Sequence, residues 1–221
     1  MIRFLCIVLL ALFTAACAPS RFVEPLQKEE MSIGVNLGGQ LLDFGGAPIP
    51  VPLSSIYYGY GLDTNLTIFG SLHTTSLYFT NFQTDFGATY GFYNSTSTFI
   101  PSLSASGNGN FIWDMNDSKV SFWPQIDANA YWNYGKNQHY SYIGVSNWFE
   151  LSPKRSYDRP SISPWIVNLK LGTVFKKKSW QFQLEYKWMA PGYSSQDAFV
   201  PYIGINGQGA TGVYLGVSKI F

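Results

Sequence analysis

Only two imidazoles are present, His73 and His139, so proton-transfer chemistry at neutral pH has few places to reside. His73 follows Ser71, precedes Thr74, and has Asp85 and Asp114 farther along. A serine nucleophile, His73 as base and one of those carboxylates as orienting group is the one catalytic set these residue types allow. No nucleophile motif surrounds them, and a polar residue at a strand end is the plainer reading of His73. The two histidines and the scattered carboxylates have no metal-ligand spacing, and nothing calls for a cofactor. The chain therefore reads as a non-enzyme.

The remaining ionisable candidates are Asp85, Asp127, Lys170, Glu185 and Lys187. Each falls on the polar side of an alternating segment. Thr84, Phe86, Ala88, Tyr90 and Phe92 alternate with Gln83, Asp85, Gly87, Thr89 and Gly91. Ile126, Ala128, Ala130 and Trp132 alternate with Asp127, Asn129, Tyr131 and Asn133. Val167, Leu169 and Leu171 oppose Asn168, Lys170 and Gly172, and Trp180, Phe182, Leu184, Tyr186 and Trp188 oppose Gln181, Gln183, Glu185 and Lys187. Period two puts these faces on opposite sides of a strand.

Composition bears on which face turns inward. Charged residues make up 12% of the chain and aromatics 18%, with 21 glycines and 12 prolines. Soluble domains carry about twice that share of charge. Beyond the amino-terminal leader no apolar run approaches a helical span, so the apolar residues are spread along strands, as in transmembrane barrels. Aromatics sit near strand ends, with Trp132, Tyr134, Phe175 and Trp180 flanking two short turns and Trp165 and Trp188 near the opposite ends. The expectation is an all-β, closed antiparallel barrel with an apolar wall. Its strands are residues 31–38, 54–62, 65–74, 80–92, 99–109, 122–134, 139–150, 164–176, 179–190 and 209–221, ten in all, with eight or twelve as alternatives. Gly107 and Gly109 interrupt the fifth, and the seventh mixes its faces as a bulge would. Tight turns near Asp63, Lys136 and Lys177 alternate with longer connections, among them residues 39–53 and 111–121. Closure is required because an open edge in hydrocarbon leaves amides and carbonyls unpaired, at several kcal/mol each. The five ionisable residues would then line a narrow lumen as a polar network.

The amino terminus reads as a leader. Arg3 precedes an apolar run from Phe4 to Phe13, followed by Thr14, Ala15, Ala16 and Cys17. This ending resembles a bacterial lipobox, with Thr14 where leucine is usual. An ordinary secretory cleavage site is the alternative. The resemblance implies a signal peptide over residues 1–16, lipidation of Cys17, a lipidated periplasmic tether over 17–30 and the barrel over 31–221. Cys6 would leave with the leader and Cys17 would be a thioether, leaving no disulfide and no thiolate metal site. The 205 residues left when 16 are removed from 221 carry 13 basic and 13 acidic groups, so no nucleic-acid partner is indicated.

The last stretch, Gly209 to Phe221, alternates through Val213, Leu215 and Val217 to a terminal aromatic. Lys219 interrupts the apolar row but can snorkel to the interface. Phe221 resembles the signal that outer-membrane barrel-assembly machinery reads on a closing strand. Taken together, the mature chain resembles small outer-membrane β-barrel lipoproteins of Bacteroidetes-like Gram-negative bacteria. That resemblance implies outer-membrane lipids, other outer-membrane proteins and the assembly machinery as partners, and a role as accessory subunit of an envelope complex for barrel assembly, secretion or uptake. A narrow channel or binding barrel for a small solute or lipid, a barrel enzyme acting on lipid or peptide, and a soluble lipocalin-like lipoprotein are the alternatives. Among the long loops, Lys154, Arg155, Asp158 and Arg159 form the one strongly charged segment, and Lys176, Lys177 and Lys178 mark a periplasmic turn.

Overall fold

A computed structural model describes residues 19–97, 99–151, 163–195 and 202–221. Cys17, the leader and the charged loop with Lys154, Arg155, Asp158 and Arg159 lie outside the described residues. The elements are β1 (Met31–Phe44), β2 (Ala47–Pro50), β3 (Leu53–Asp63), β4 (Leu66–His73), α1 (Thr74–Tyr78), β5 (Asn81–Tyr93), β6 (Ser102–Asp114), β7 (Lys119–Tyr134), β8 (His139–Phe149), β9 (Trp165–Lys177), β10 (Trp180–Ser194) and β11 (Gln208–Ile220).

Ten of the eleven strands, all but β2, form one closed antiparallel barrel. Closure comes from β1 pairing with β11 in continuous register from Ser32 opposite Ile220 to Gln40 opposite Gly212. The seam is finished by a reciprocal pair, Phe221 N–H to the Met31 carbonyl at 2.9 Å and Met31 N–H to the Phe221 carbonyl at 3.3 Å. The end of the barrel holding this seam is here called the lower end.

The sheet is inverted relative to a soluble protein. Ile33, Phe86, Ile126, Leu171, Leu184 and Leu215 face outward and are exposed, whereas Ser32, Thr67, Thr89, Ser104 and Glu185 face inward and are 0% exposed. A belt of bare Ile, Leu, Val and Phe around a polar interior is stable only when hydrocarbon surrounds it. Among the described residues no helix is long and apolar enough to cross a membrane, and the strands provide the crossing.

Several boundaries differ from the alternation pattern. β1 continues past residue 38 and folds back as a short hairpin with β2, Leu41 opposite Pro50 through Phe44 opposite Ala47, turning at Gly45 and Gly46 with positive φ. β6 runs through Gly107 and Gly109 to Asp114 without a register break, and its link to β7 is a tight turn in place of a long loop. That turn is set by the Asp114 carboxylate, which accepts the backbone N–H of Asn116 at 2.9 Å and of Asp117 at 3.2 Å. β8 pairs regularly with both neighbours and contains no bulge.

Candidate functional site in the barrel lumen

The chain between Pro19 and Glu30 occupies the lower half of the lumen. Residues expected to form a periplasmic tether are therefore, from Pro19 onward, an interior plug. Two prolines, Pro19 and Pro25, keep the segment from forming a helix, so its backbone polar groups are left for the wall to satisfy. At the lower mouth, Glu29 N–H donates to the Gly61 carbonyl at 2.8 Å and Gly61 N–H to the Glu30 carbonyl at 2.9 Å. Higher up, Leu26 N–H donates to Thr67 Oγ1 at 2.7 Å, and Ser104 Oγ donates to the Val23 carbonyl at 2.6 Å. Glu24 pairs with Lys176 and accepts from Asn133 Nδ2 at 2.9 Å.

Apolar side chains complete the fit. Val23 is buried among Tyr131, Tyr140, Tyr142 and Val174. Phe22 meets Tyr57 edge to face at 5.8 Å and lies 5.9 Å from Phe69, with Leu26 in the same cluster. Inward glycines make the space: a Cβ on Gly59 would lie 2.3 Å from the Phe22 ring, and one on Gly61 would lie 1.9 Å from the Gln27 carbonyl oxygen.

Charge completes it as well. The five ionisable residues picked from the sequence all point inward and are at most 6% exposed. Among these five, three acids, Asp85, Asp127 and Glu185, stand with two lysines, and a third wall lysine, Lys176, faces Glu24 of the plug. Lys170 Nζ lies 3.1 Å from Asp127 Oδ2, with Ser146 Oγ and Gln125 Nε2 donating to Asp127 Oδ1 at 2.5 and 2.9 Å. Lys187 Nζ lies 3.3 Å from Glu185 Oε1, and Tyr142 Oη donates to Glu185 Oε2 at 2.6 Å. The cation beside Asp85 comes from the plug. Arg21 Nη2 donates to Asp85 Oδ2 at 2.8 Å and to Ser71 Oγ at 2.6 Å, while Nη1 reaches Ser55 Oγ at 3.3 Å. Ser20 N–H donates to both Glu185 oxygens at 3.1 and 3.2 Å, and Gln183 Nε2 donates to the Ser20 carbonyl at 2.9 Å. Buried acids without partners are expensive, and Asp85, which pairs with no wall lysine, takes its cation from the plug.

The catalytic grouping does not form. His73 Nε2 sits 2.8 Å from Asp85 Oδ2, yet Ser71 Oγ donates to that same oxygen at 2.5 Å and not to the imidazole. His73 is therefore not placed to take the Ser71 proton, and Asp114 serves its own turn at the upper rim. Together with Arg21 these groups lock the plug to β3, β4 and β5. His139 lies at the lower end, where its Nδ1 accepts the Lys176 N–H at 2.9 Å and its ring faces Tyr134 and Phe175. Lys176, read with Lys177 and Lys178 as marking a periplasmic turn, points inward to Glu24 and over the Tyr140 ring. Phe221 is outward and exposed, with Lys219 Nζ 4.7 Å from its ring centroid. Above the plug, Met189 and Tyr214 form a buried cluster joined by Leu53, Trp148 and Ala210.

Sequence reasoning placed the wall residues but missed Arg21, Ser20 and Val23. One signal pointed to them: inward glycines at 59 and 61 on β3 and at 91 on β5.

No protein family matches the chain, and no curated protein is similar to it. Solved barrels match the chain at low identity and with TM-scores below 0.5. The KdgM porin is 12% identical with a TM-score of 0.40, over 86% of this chain and 99% of that one. The NanC porin is 10% identical with a TM-score of 0.43, over 86% and 98%. The outer membrane protein Ail of Yersinia pestis, in a phospholipid nanodisc, is 11% identical with a TM-score of 0.40, over 88% and 100%.

Proposed function

We propose that this protein is an integral outer-membrane barrel that catalyses no reaction, passes no bulk solute, and serves as an accessory subunit of a larger envelope complex. The observation that carries this reading is the filled lumen. A peptide and a charge-balanced network occupy the space through which a solute would move, leaving the outer surfaces to do the work. One of those surfaces is unusual. The β1–β2 ribbon projects beyond the seam between β1 and β11, carries Asp43 as its only charge, and leaves Phe44 76% and Ile49 47% exposed. An apolar ribbon of this kind suits contact with another protein. Cys17 is read as the lipidation site and Phe221 as the barrel-assembly signal.

The test is native solubilisation followed by partner identification. The wild-type chain is compared with one in which residues 43–48 are replaced by Asn-Gly, a turn that fits a two-residue hairpin. Co-elution of the wild type with a defined membrane protein, lost in the shortened chain while heat-modifiable gel mobility is kept, is expected. Elution of the wild type as a monomer would contradict the subunit role.

A further inference from the structure

Lysines without a carboxylate partner gather at one end of the barrel. Among the described residues, Lys119, Lys170, Lys176 and Lys187 each pair with a carboxylate. Lys28, Lys136, Lys177, Lys178 and Lys219 do not, and all five stand at the lower end. Lys28 sits beside Glu29 and Glu30 where they are held to β3, and Asp63 borders the turn from β3 to β4. The other four lie elsewhere on the rim. Lys136 is in the turn from β7 to β8, Lys177 and Lys178 are at the turn from β9 to β10, and Lys219 is near the end of β11. These strands are consecutive in the sheet, so a basic arc runs from β7 to β11 and the rim carboxylates gather at β3 and β4. On the outer side of the basic arc, the Phe221 carboxylate offsets one charge.

Register turns two of these lysines toward lipid. Lys177 continues the outward row of Leu171 and Phe175, and Lys219 that of Leu215 and Val217. Both are cross-strand partners of Trp180, which is 45% exposed between them. Strands about 4.8 Å apart place the Cα atoms of the two lysines about 10 Å apart, so their long arms can converge on one anion. The indole adds a donor. Trp132, Trp165 and Trp188, also on the outer wall, donate to the Phe99 carbonyl, to Asn147 Oδ1 and to the Gln208 carbonyl. Trp113 and Trp180 have no such partner among the described residues, and of the two only Trp180 stands between lysines. One step higher on the wall, Phe182 lies opposite both Phe175 and Val217, an apolar bed at the depth of acyl chains.

We propose that the lower outer rim from β7 to β11 binds an anionic glycerophospholipid. Lys177 and Lys219 hold its phosphodiester, Trp180 Nε1 donates to a phosphate oxygen, and the acyl chains lie along Phe175, Phe182 and Val217. Lys136 and Lys178, in the neighbouring turns, draw negative lipid to the arc. A zwitterionic lipid brings the same phosphate together with an ammonium that the arc repels, so the rim selects net negative charge. The proposal rests on the strands crossing a membrane and not on the subunit role, so the two fail separately.

Protein refolded without its leader is placed in phosphatidylcholine bilayers that hold a minor share of brominated phosphatidylglycerol. A parallel set holds the same share of brominated phosphatidylcholine. Bromine beside Trp180 quenches its emission, read as the difference between each chain and the same chain carrying Trp180→Phe. At low salt the wild type is expected to prefer phosphatidylglycerol about tenfold, and salt should weaken that preference. Lys177→Gln combined with Lys219→Gln should bring the preference close to one. Each single variant should weaken it about threefold, which keeps the test open if the pair does not show heat-modifiable mobility. Lys28→Gln combined with Lys119→Gln removes the same charge elsewhere and should leave the preference unchanged. Equal quenching of the wild type by the two lipids overturns the proposal, as does a full preference in the single or paired rim variants. Loss of the preference in the Lys28 and Lys119 variant assigns it to the protein's overall charge and overturns the site.

Discussion

Arg21 and Asp85 are 64 positions apart in the chain and 2.8 Å apart in the lumen, with side chains 4% and 5% exposed. Removing one partner of a buried pair costs about 3–5 kcal/mol, because the other is left charged and unpaired. Arg21→Ala is expected to lower stability by that amount in urea titrations of the folded barrel. Adding Asp85→Asn should recover part of the loss, since no uncompensated charge then remains. A double variant no more stable than Arg21→Ala would show that Arg21 does not compensate Asp85.

Gly61 tests the close approach of plug and wall. A Cβ there would lie 1.9 Å from the Gln27 carbonyl oxygen, a backbone atom that moves only with the turn, whereas a Cβ on Gly107 would meet nothing within 4 Å. Gly61→Ala is expected to destabilise by about 1–3 kcal/mol. Gly107→Ala should stay within about 0.5 kcal/mol of the wild type. Equal effects in thermal melts would place the Gln27 turn elsewhere.

Tyr142 ties the wall to the plug's upper contact. Its hydroxyl donates to Glu185 Oε2 at 2.6 Å and accepts from Gln183 Nε2 at 2.7 Å, and Glu185 in turn holds the Ser20 amide. Tyr142→Phe is expected to cost about 1–3 kcal/mol by leaving these groups under-satisfied. Tyr58→Phe, on the exposed outer face, is the control and should be nearly silent. A silent Tyr142→Phe would remove Tyr142 from the network.

Much of the wall was legible because a strict period of two leaves one decision, which face is inside, and the scarcity of charge makes it. Asp85, Asp127, Lys170, Glu185 and Lys187 were placed that way. The upper hairpin was not, since Ala47 to Pro50 alternates nothing polar and its prolines read as loop. β6 was cut short because Gly107 and Gly109 mimic a break, although Phe111 and Trp113 continue the outward row. Residues 19–30 carry no period at all. An extended segment held by side chains of eight strands, β3 to β10, has no local pattern, and its evidence lies in what the wall lacks: a lysine beside Asp85 and side chains at Gly59 and Gly61.

Conductance follows from the same geometry. Mature protein refolded without its leader is expected to hold its segment in the lumen. In planar bilayers it should give no discrete steps, with insertion confirmed by protease protection. Reproducible steps from fully inserted protein would mean that an open path bypasses Phe22, Val23 and Leu26.

Occupation of the lumen by the amino-terminal segment is tested most directly at Val23, 1% exposed between Tyr131, Tyr140 and Tyr142. In a refolded chain with Cys17→Ser and Val23→Cys, that thiol is the only one left after the leader. A water-soluble maleimide should fail to label it in the folded, bilayer-embedded barrel and should label it fully after denaturation. Labelling of the folded protein at the rate of an exposed thiol would contradict the plug.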